Sequence, residues 1–473
     1  MTDMRALDIR SPRDGHPVGH LPTASEHDIA GAVLTAREVQ PKWAATPAAE
    51  RGAALRQAAG VLRAHADEVA TVLEQETGRP VASAREGVLA GVSTLEQYAE
   101  LGPVHRGRSL LGSWDAADFM VPEPRGVVVA LTPWNDPVAV ACGLIGAALV
   151  TGNAVVHKPS ERCPHTGLLM GQLVAESFPD GVLQTLIGNG QVGARLAADQ
   201  HVDVVAHVGG TATGRSILAA TAKTGAKALL ENGGNDALVI DADVDPKWAA
   251  AQAALGAFTN AGQLCTSVER IFVHEAVADE FLQALEAEAR NWVAQPLVDV
   301  EHRKLVHAHV AEAVADGAEV LIGGEVPDGP GAFYPATVLT RCTPDMRVMR
   351  QETFGPVAPV CVVESFEEGL AEAVVDEHGL AATVLTGSMA HAQQAWRALP
   401  VGTVKVNAVF GGAPGGAAQP RRMSGTGFGY GPELLDEMTT VKVVHLGQAQ
   451  PRRQAEADWR RTASASRAVS SST

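Results

Sequence analysis

Paired cysteines are missing from this sequence. Its five cysteines, Cys142, Cys163, Cys265, Cys342 and Cys361, form no CxxC and keep no metal-like spacing with histidine. That excludes a disulfide-stapled scaffold and gives no reason to expect a metal. An odd number of unpaired thiols fits a reducing, cytoplasmic setting. A basic surplus is missing too, since 37 Lys and Arg stand against 54 Asp and Glu, a formal charge of −17. Phosphate-tracking surfaces need clustered cations, so no nucleic-acid partner is expected, and the negative charge serves solubility. Long apolar runs are also lacking. The longest, Val138 to Val150, is too short to span a bilayer and reads as a buried helix. The opening MTDMRALDIRSPRDG has no apolar core of the kind a signal peptide needs. Neither a membrane nor an internal repeat is expected.

What is present is ordinary globular composition over 473 residues, enough for two or three domains. After a short extended start the first hundred residues read as helices. Ser25-x-x-Asp28 is a capping-box pattern ahead of Ile29, Val33 and Ala36, and Leu55, Ala58 and Leu62 mark a second helix. A third run stops at Gly78 and Pro80. These helices are expected to cover a sheet and to carry no chemistry. From Gly126 short β-branched runs alternate with helical ones: 127–131, 154–158, 183–187, 202–208 and 227–231, separated by helices near 138–150, 164–177, 192–199 and 213–223. That alternation predicts a parallel sheet with helices on both faces, and ligands beyond the carboxyl ends of its strands. A second α/β unit runs from Leu238 to about residue 425, with Pro246 opening a helix. The stretch 409–420 is Gly-, Ala- and Pro-rich and reads as a mobile loop, and the tail 449–473 reads as disordered.

Candidate chemistry falls just after the strands. Gly188-Asn-Gly190-Gln-Val-Gly193 matches GxGxxG, and GGTATG at 209–214 is a second glycine turn into a helix. Backbone amides there suit a pyrophosphate, yet two ordinary tight turns explain the pattern equally well. Glu231 stands at a strand end in LENGGND. Cys265 in GQLCTS has Gly262, Gln263 and Thr266 around it and reads as exposed, as a nucleophile must be. Cys142 and Cys361 lie in apolar runs and read as core residues, whereas Cys163 and Cys342 read as loop residues. In TPWNDP (132–137) Asn135 can donate to an oxyanion, although on local grounds an Asn-led turn is the plainer reading.

Taken together the segments resemble the aldehyde dehydrogenase superfamily. The resemblance runs from about residue 8 to 448 through ETGRP (76–80), TPWNDP, GNAVVHKPSE (152–161), GGTATG, LENGGND, GQLC, QETFGPV (351–357), HGLAATV (378–384) and VKVNA (404–408). It implies an α/β fold in three parts. A Rossmann-like NAD-binding domain takes 1–105 and 125–233, and a second α/β catalytic domain takes 234–425. A small bridging β-sheet of 106–124 and 426–448 builds a homodimer or homotetramer. It also implies roles: Cys265 as nucleophile, Glu231 as general base, and Asn135 with the Cys265 N–H as oxyanion hole. On the cofactor side it implies Lys158 and Glu161 at the adenosine ribose, Gly209 and Thr211 at the pyrophosphate, and Glu352 and Phe354 at the nicotinamide ribose, with Thr132 and Trp134 nearby.

Several positions depart from the family's usual pattern. Asn232 and Asn235 stand where Leu and Lys are common, Asp136 where an aromatic is usual, Gly143 where some members place a tunnel-lining Trp, and Ala418 at a usual Phe. With Leu264 before the nucleophile in place of an anion-pairing Arg, the substrate side is expected to take an uncharged, fairly bulky, even aromatic aldehyde. An amino-aldehyde, favoured by Asp136 and Glu100, or a semialdehyde, is the alternative, and Arg421 or Arg422 would reverse the reading if the loop turned them inward. Glu161 facing a ribose predicts NAD over NADP, because it would repel a 2′-phosphate. Acyl transfer to coenzyme A is disfavoured by the presence of Glu231, and a non-catalytic scaffold by the presence of all three catalytic residues.

Overall fold

Local hydrogen bonding sets the first helix. In the computed structural model, which describes residues 6–412 and 416–449, Ser25 Oγ accepts from Asp28 N at 3.2 Å, and the Asp28 carboxylate accepts from Ser25 N at 2.8 Å. The capped helix Glu26–Ala44 turns Ile29, Ala32, Val33 and Ala36 inward. Ala48–Ala64 and Ala66–Thr77 follow, the latter closed by Gly78 at φ 73°. A Cβ on Gly78 would lie 2.4 Å from Pro296 Cγ, so only glycine fits. Pro80 then precedes Val81–Leu101.

Strands Val127–Leu131, Ala154–Lys158, Leu183–Thr185, Val204–Val208 and Lys227–Glu231 pair in parallel, and Gly425–Thr426 adds an antiparallel edge. The spatial order is 425–426, 227–231, 204–208, 127–131, 154–158, 183–185. Side chains alternate across this sheet. Val128 and Ala130 pack with Leu55, Leu62, Leu95 and Leu144, whereas Val127 and Val129 pack with Ile29, Val33 and Leu196. Helices therefore cover both faces, as the alternation of patterns predicted. The third strand is shorter than expected, ending at Thr185, and the helices read at 192–199 and 213–223 are Gly190–Ala197 and Thr211–Thr224. In both, the glycine turn itself supplies the first helical residues or the cap.

A second sheet has the order 319–322, 337–340, 357–363, 268–274, 236–240, 381–385, 403–406, parallel except for its first pair. Asp245 caps the helix Pro246–Phe258 with Pro246 at its start. Both sheets belong to one compact unit, which takes in residues to Val104 and Pro124–Thr439. The other unit, His105–Glu123 with the described chain from Thr440 onward, carries a three-stranded sheet ordered 439–446, 117–124, 108–110. Most of the 449–473 tail, and positions 413–415 of the 409–420 loop, lie outside the described residues. No helix among those described is long and apolar enough to cross a membrane.

Candidate active site

The first sheet reverses its strand order between Val127–Leu131 and its two neighbours, the place where open α/β sheets leave a crevice. Leu131 leads there into Thr132, Pro133 and Trp134, and Val208 leads into Gly209 and Gly210, which caps Thr211–Thr224. Between them lies a cleft of about 430 Å³ that also touches Lys158, Ser160, Glu161, Gly190, Gly193 and Thr213. Both glycine turns thus open on one cavity. The bare helix start presents unpaired amides, and Gly209 and Gly210 put no side chain in front of them. Thr211 does not border the cleft, and its buried Oγ1 has no partner; Gly210 and Thr213 take the lining positions. Lys158 Nζ donates to Glu161 Oε2 at 3.1 Å. Burial raises the Glu161 carboxyl, but Lys158 outweighs it and holds the group below its usual value. Thr132 Oγ1 meets His157 Nε2 at 2.9 Å, and burial pushes His157 down to about 3 and His207 to about 4, so neither adds a cation. A side-chain-free cradle at a helix start, with one lysine already paired, fits a dinucleotide.

Cys265 comes after a strained turn. Asn260, Ala261 and Gly262 lie in the left-handed region at φ 53°, 55° and 71°, which costs roughly 1–2 kcal/mol at each non-glycine residue. Surrounding bonds enforce it. Gln263 Nε2 donates to Asn260 O at 3.0 Å, Ser267 Oγ to Gly262 O at 3.1 Å, and Val298 N to Gln263 Oε1 at 2.9 Å. Cys265 is exposed, whereas the other four cysteines are buried. Cys163 and Cys342 do lie in loops, as read, but both are buried, Cys163 at the start of Pro164–Ala175 and Cys342 in the second core. Although Cys265 reaches solvent at the cleft, the protein packed around its thiol desolvates it, and that, followed by Asp236, Glu231 and Glu352, pushes the thiol up to about 12. Burial likewise lifts Glu231 to about 8, Asp236 to about 8 and Glu352 to about 7. Glu352 Oε1 accepts from Gly234 N at 3.0 Å, and Asp236 Oδ1 from Ala381 N at 3.0 Å.

A cleft of about 760 Å³ brings Cys265, Glu231, Asn135, Glu352 and Phe354 together, and it shares Trp134, Gly209, Gly210 and Thr213 with the first cavity. Asn135 Nδ2 donates to Gln263 O at 3.0 Å, which ties its amide to the loop that carries Cys265. Asp136 borders this cleft as well, but Arg79 Nη1 pairs with its Oδ1 at 3.0 Å and also reaches the Asn135 carbonyl at 3.3 Å. The expectation that Asp136 offers a free negative charge is therefore corrected, as is the expectation that the N-terminal helices bring no group to the site. Glu100 is exposed and borders none of the three cavities described.

On the other side of Cys265 and Glu231 is a mostly apolar cavity of about 340 Å³. Val140, Gly143, Val208, Leu380, Ala418 and Pro420 line it, with Thr94, Thr403 and Tyr430. A Cβ built on Gly143 would meet nothing within 4 Å, so the space a larger residue would take is open. Leu264 faces the larger cleft instead. Among the described residues no Lys or Arg lines the cavity; Arg422 Nη1 is held by Val374 O at 3.0 Å. Tyr430 and Gly429 escaped the sequence reading, although the Gly-rich FGYG at 428–431 marks a close backbone approach. Among the described residues no group of three or more His, Cys, Asp or Glu is placed to hold a metal.

Comparison with known proteins covers most of the chain. The sequence model of the aldehyde dehydrogenase family matches residues 1–444. Among solved structures, a 3,6-anhydro-L-galactose dehydrogenase is 31% identical, with TM-score 0.91 over 94% of this chain and 97% of its own. A succinate-semialdehyde dehydrogenase from Burkholderia pseudomallei is 31% identical, with TM-score 0.91 over 94% and 95%. An NAD-dependent aldehyde dehydrogenase from Sinorhizobium meliloti is also 31% identical, with TM-score 0.91 over 94% and 92%.

Proposed function

Since the chain belongs to the aldehyde dehydrogenase family, we propose that it oxidises an uncharged, fairly bulky aldehyde to the carboxylic acid through a thioester on Cys265, with NAD as acceptor. The observation that carries the reading is that Cys265 and Glu231 line both the cleft of about 760 Å³, which shares residues with the dinucleotide cradle, and the apolar cavity. In this mechanism the Cys265 thiol, which reaches solvent, gives its proton to water, and the sulfur adds to the carbonyl carbon. The resulting oxyanion accepts from the Cys265 N–H and from the second N–H of the Asn135 amide, the first being spent on Gln263 O. A bound nicotinamide supplies the hydride acceptor. Hydride loss leaves a thioester on Cys265. Glu231 then takes a proton from a water that adds to the thioester carbonyl, and the thiolate departs as the acid forms.

The apolar lining, the open space beside Gly143 and the small Ala418 support a neutral and bulky substrate. The amino-aldehyde alternative loses its support, since Asp136 is paired and Glu100 lies elsewhere. Lys158 paired with Glu161 supports NAD over NADP, because a 2′-phosphate would meet Glu161 and no uncommitted lysine. We also read the protein as a cytoplasmic homodimer or homotetramer.

A panel of matched neutral, cationic and anionic aldehydes, followed by NADH absorbance with either cofactor and with or without coenzyme A, tests these statements. The expected result is the highest kcat/KM for a neutral aromatic aldehyde with NAD, independent of coenzyme A. A best substrate bearing a carboxylate or phosphate, or a clear preference for NADP, would overturn the corresponding part. No NADH with any aldehyde would overturn the whole.

A further inference from the structure

Glu269 is a buried carboxylate that the mechanism above does not use. It sits in the strand Val268–His274, 3% exposed, one turn of chain beyond Cys265. Its two oxygens accept from two successive backbone amides, Oε2 from Thr353 N and Oε1 from Phe354 N, each at 3.0 Å. Phe354 lies at φ 54°, a left-handed conformation that a bulky side chain rarely adopts. Its carbonyl accepts from His302 Nε2 at 2.8 Å, and its ring meets Trp134 edge to face at 5.5 Å. Glu352, Thr353 and Phe354 all line the cleft that contains Cys265.

We infer that Glu269 is a positioning residue for the cofactor's nicotinamide end, acting through the Glu352–Phe354 turn. A carboxylate is the side chain that can accept both amides at once. It thereby holds a strained turn whose Glu352 and Phe354 face the cleft. Burial, and after it the nearby Glu352, raise the Glu269 carboxyl well above its usual value, and the two amides oppose this only in part. Glutamine of equal length offers one acceptor and turns an NH2 toward the other amide, leaving two donors opposed.

The inference rests on the cofactor reading above, so the test measures binding as well as turnover. NAD affinity of wild type and Glu269→Gln is measured by calorimetry, alongside hydrolysis of an activated aryl ester, which acylates Cys265 without any hydride acceptor. Expected is a loss of NAD affinity and a rise in KM for NAD of at least about tenfold, the usual effect of leaving a buried donor unmatched. Ester hydrolysis should stay within about twofold, as the nucleophile's own loop does not depend on Glu269 for its bonds. Unchanged NAD affinity, or an equal fall in ester hydrolysis, overturns the inference. If Glu269→Gln does not fold by circular dichroism, Glu269→Asp, whose carboxylate is one methylene short, is judged by the same criteria. A wild type that binds NAD but oxidises no aldehyde would sink the proposed reaction while NAD affinity still decides the role of Glu269. A wild type that does not bind NAD would end both.

Discussion

Glu231 has neighbours on one side that leave room for nothing more. A Cβ on Gly429 would sit 2.4 Å from Glu231 Oε1, and the Gly429 amide hydrogen-bonds the carboxyl, opposing the rise that burial imposes. Gly429→Ala should therefore displace the proposed base without touching Cys265. In rapid mixing we expect a burst of NADH of wild-type size followed by a steady rate lowered about tenfold or more, with added mass on Cys265. Losing the amide also leaves the carboxyl harder to ionise, so the rising limb of the pH profile, placed near 8 by the Glu231 value, should move to higher pH. An unchanged steady rate and profile would mean Glu231 is not held in this way. Cys265→Ala, by contrast, should abolish burst and turnover alike while leaving NAD binding intact, and residual NADH production above about a thousandth of wild type would remove it as nucleophile.

At the scale of an element, the ETGRP turn shows why a helical segment without catalytic groups matters to the site. Glu76, 1% exposed, accepts from His165 N and Nδ1 and from Thr166 N and Oγ1. It thus caps the helix Pro164–Ala175, whose first turn would otherwise bury bare amides. Two residues on, Gly78 reverses the chain and Arg79 reaches Asp136 and the Asn135 carbonyl. Glu76→Gln retains one acceptor and should destabilise the fold by about 3 kcal/mol, from buried donors left unmatched. Urea unfolding would measure it, and a loss under about 1 kcal/mol would show that water takes over the cap.

For the whole molecule, the buried acids make stability depend on pH in an uncommon direction. Asp236, normally 3.8, and Glu231 and Glu352, normally 4.5, rise to about 8, 8 and 7 in the folded protein. The folded state therefore binds more protons than the unfolded chain between those limits. Stability from these groups is complete below the unfolded values and is lost as pH climbs through 7 to 8. Without cofactor, the protein should melt lower at pH 8 than at pH 6. Asp236→Asn keeps an acceptor for Ala381 N but has no charge to desolvate. Relative to wild type it should gain about 3 kcal/mol between pH 6 and pH 8, two units at about 1.4 kcal/mol each. Parallel melting curves at the two pH values would refute this.

By itself the sequence determined what depends on neighbours in the chain. The Ser25–Asp28 cap, the stop at Gly78, the alternation of strands and helices from Gly126 and the glycine turns after strands are short-range, so periodicity and turn chemistry reveal them. The residues of the candidate site were also legible, because GQLC, LENGGND and TPWNDP carry them in recognisable order. Tertiary structure decided what depends on charges and cavities that distant segments create. Cys163 and Cys342 are buried by segments remote in sequence, and Asp136 loses its free charge to Arg79, 57 positions earlier. Glu269 meets the Thr353 and Phe354 amides across more than 80 residues, and Gly429 closes on Glu231 from the far end of the chain. A carboxylate's partner, and hence its charge and its role, is set by which backbone folds against it, and no local pattern records that.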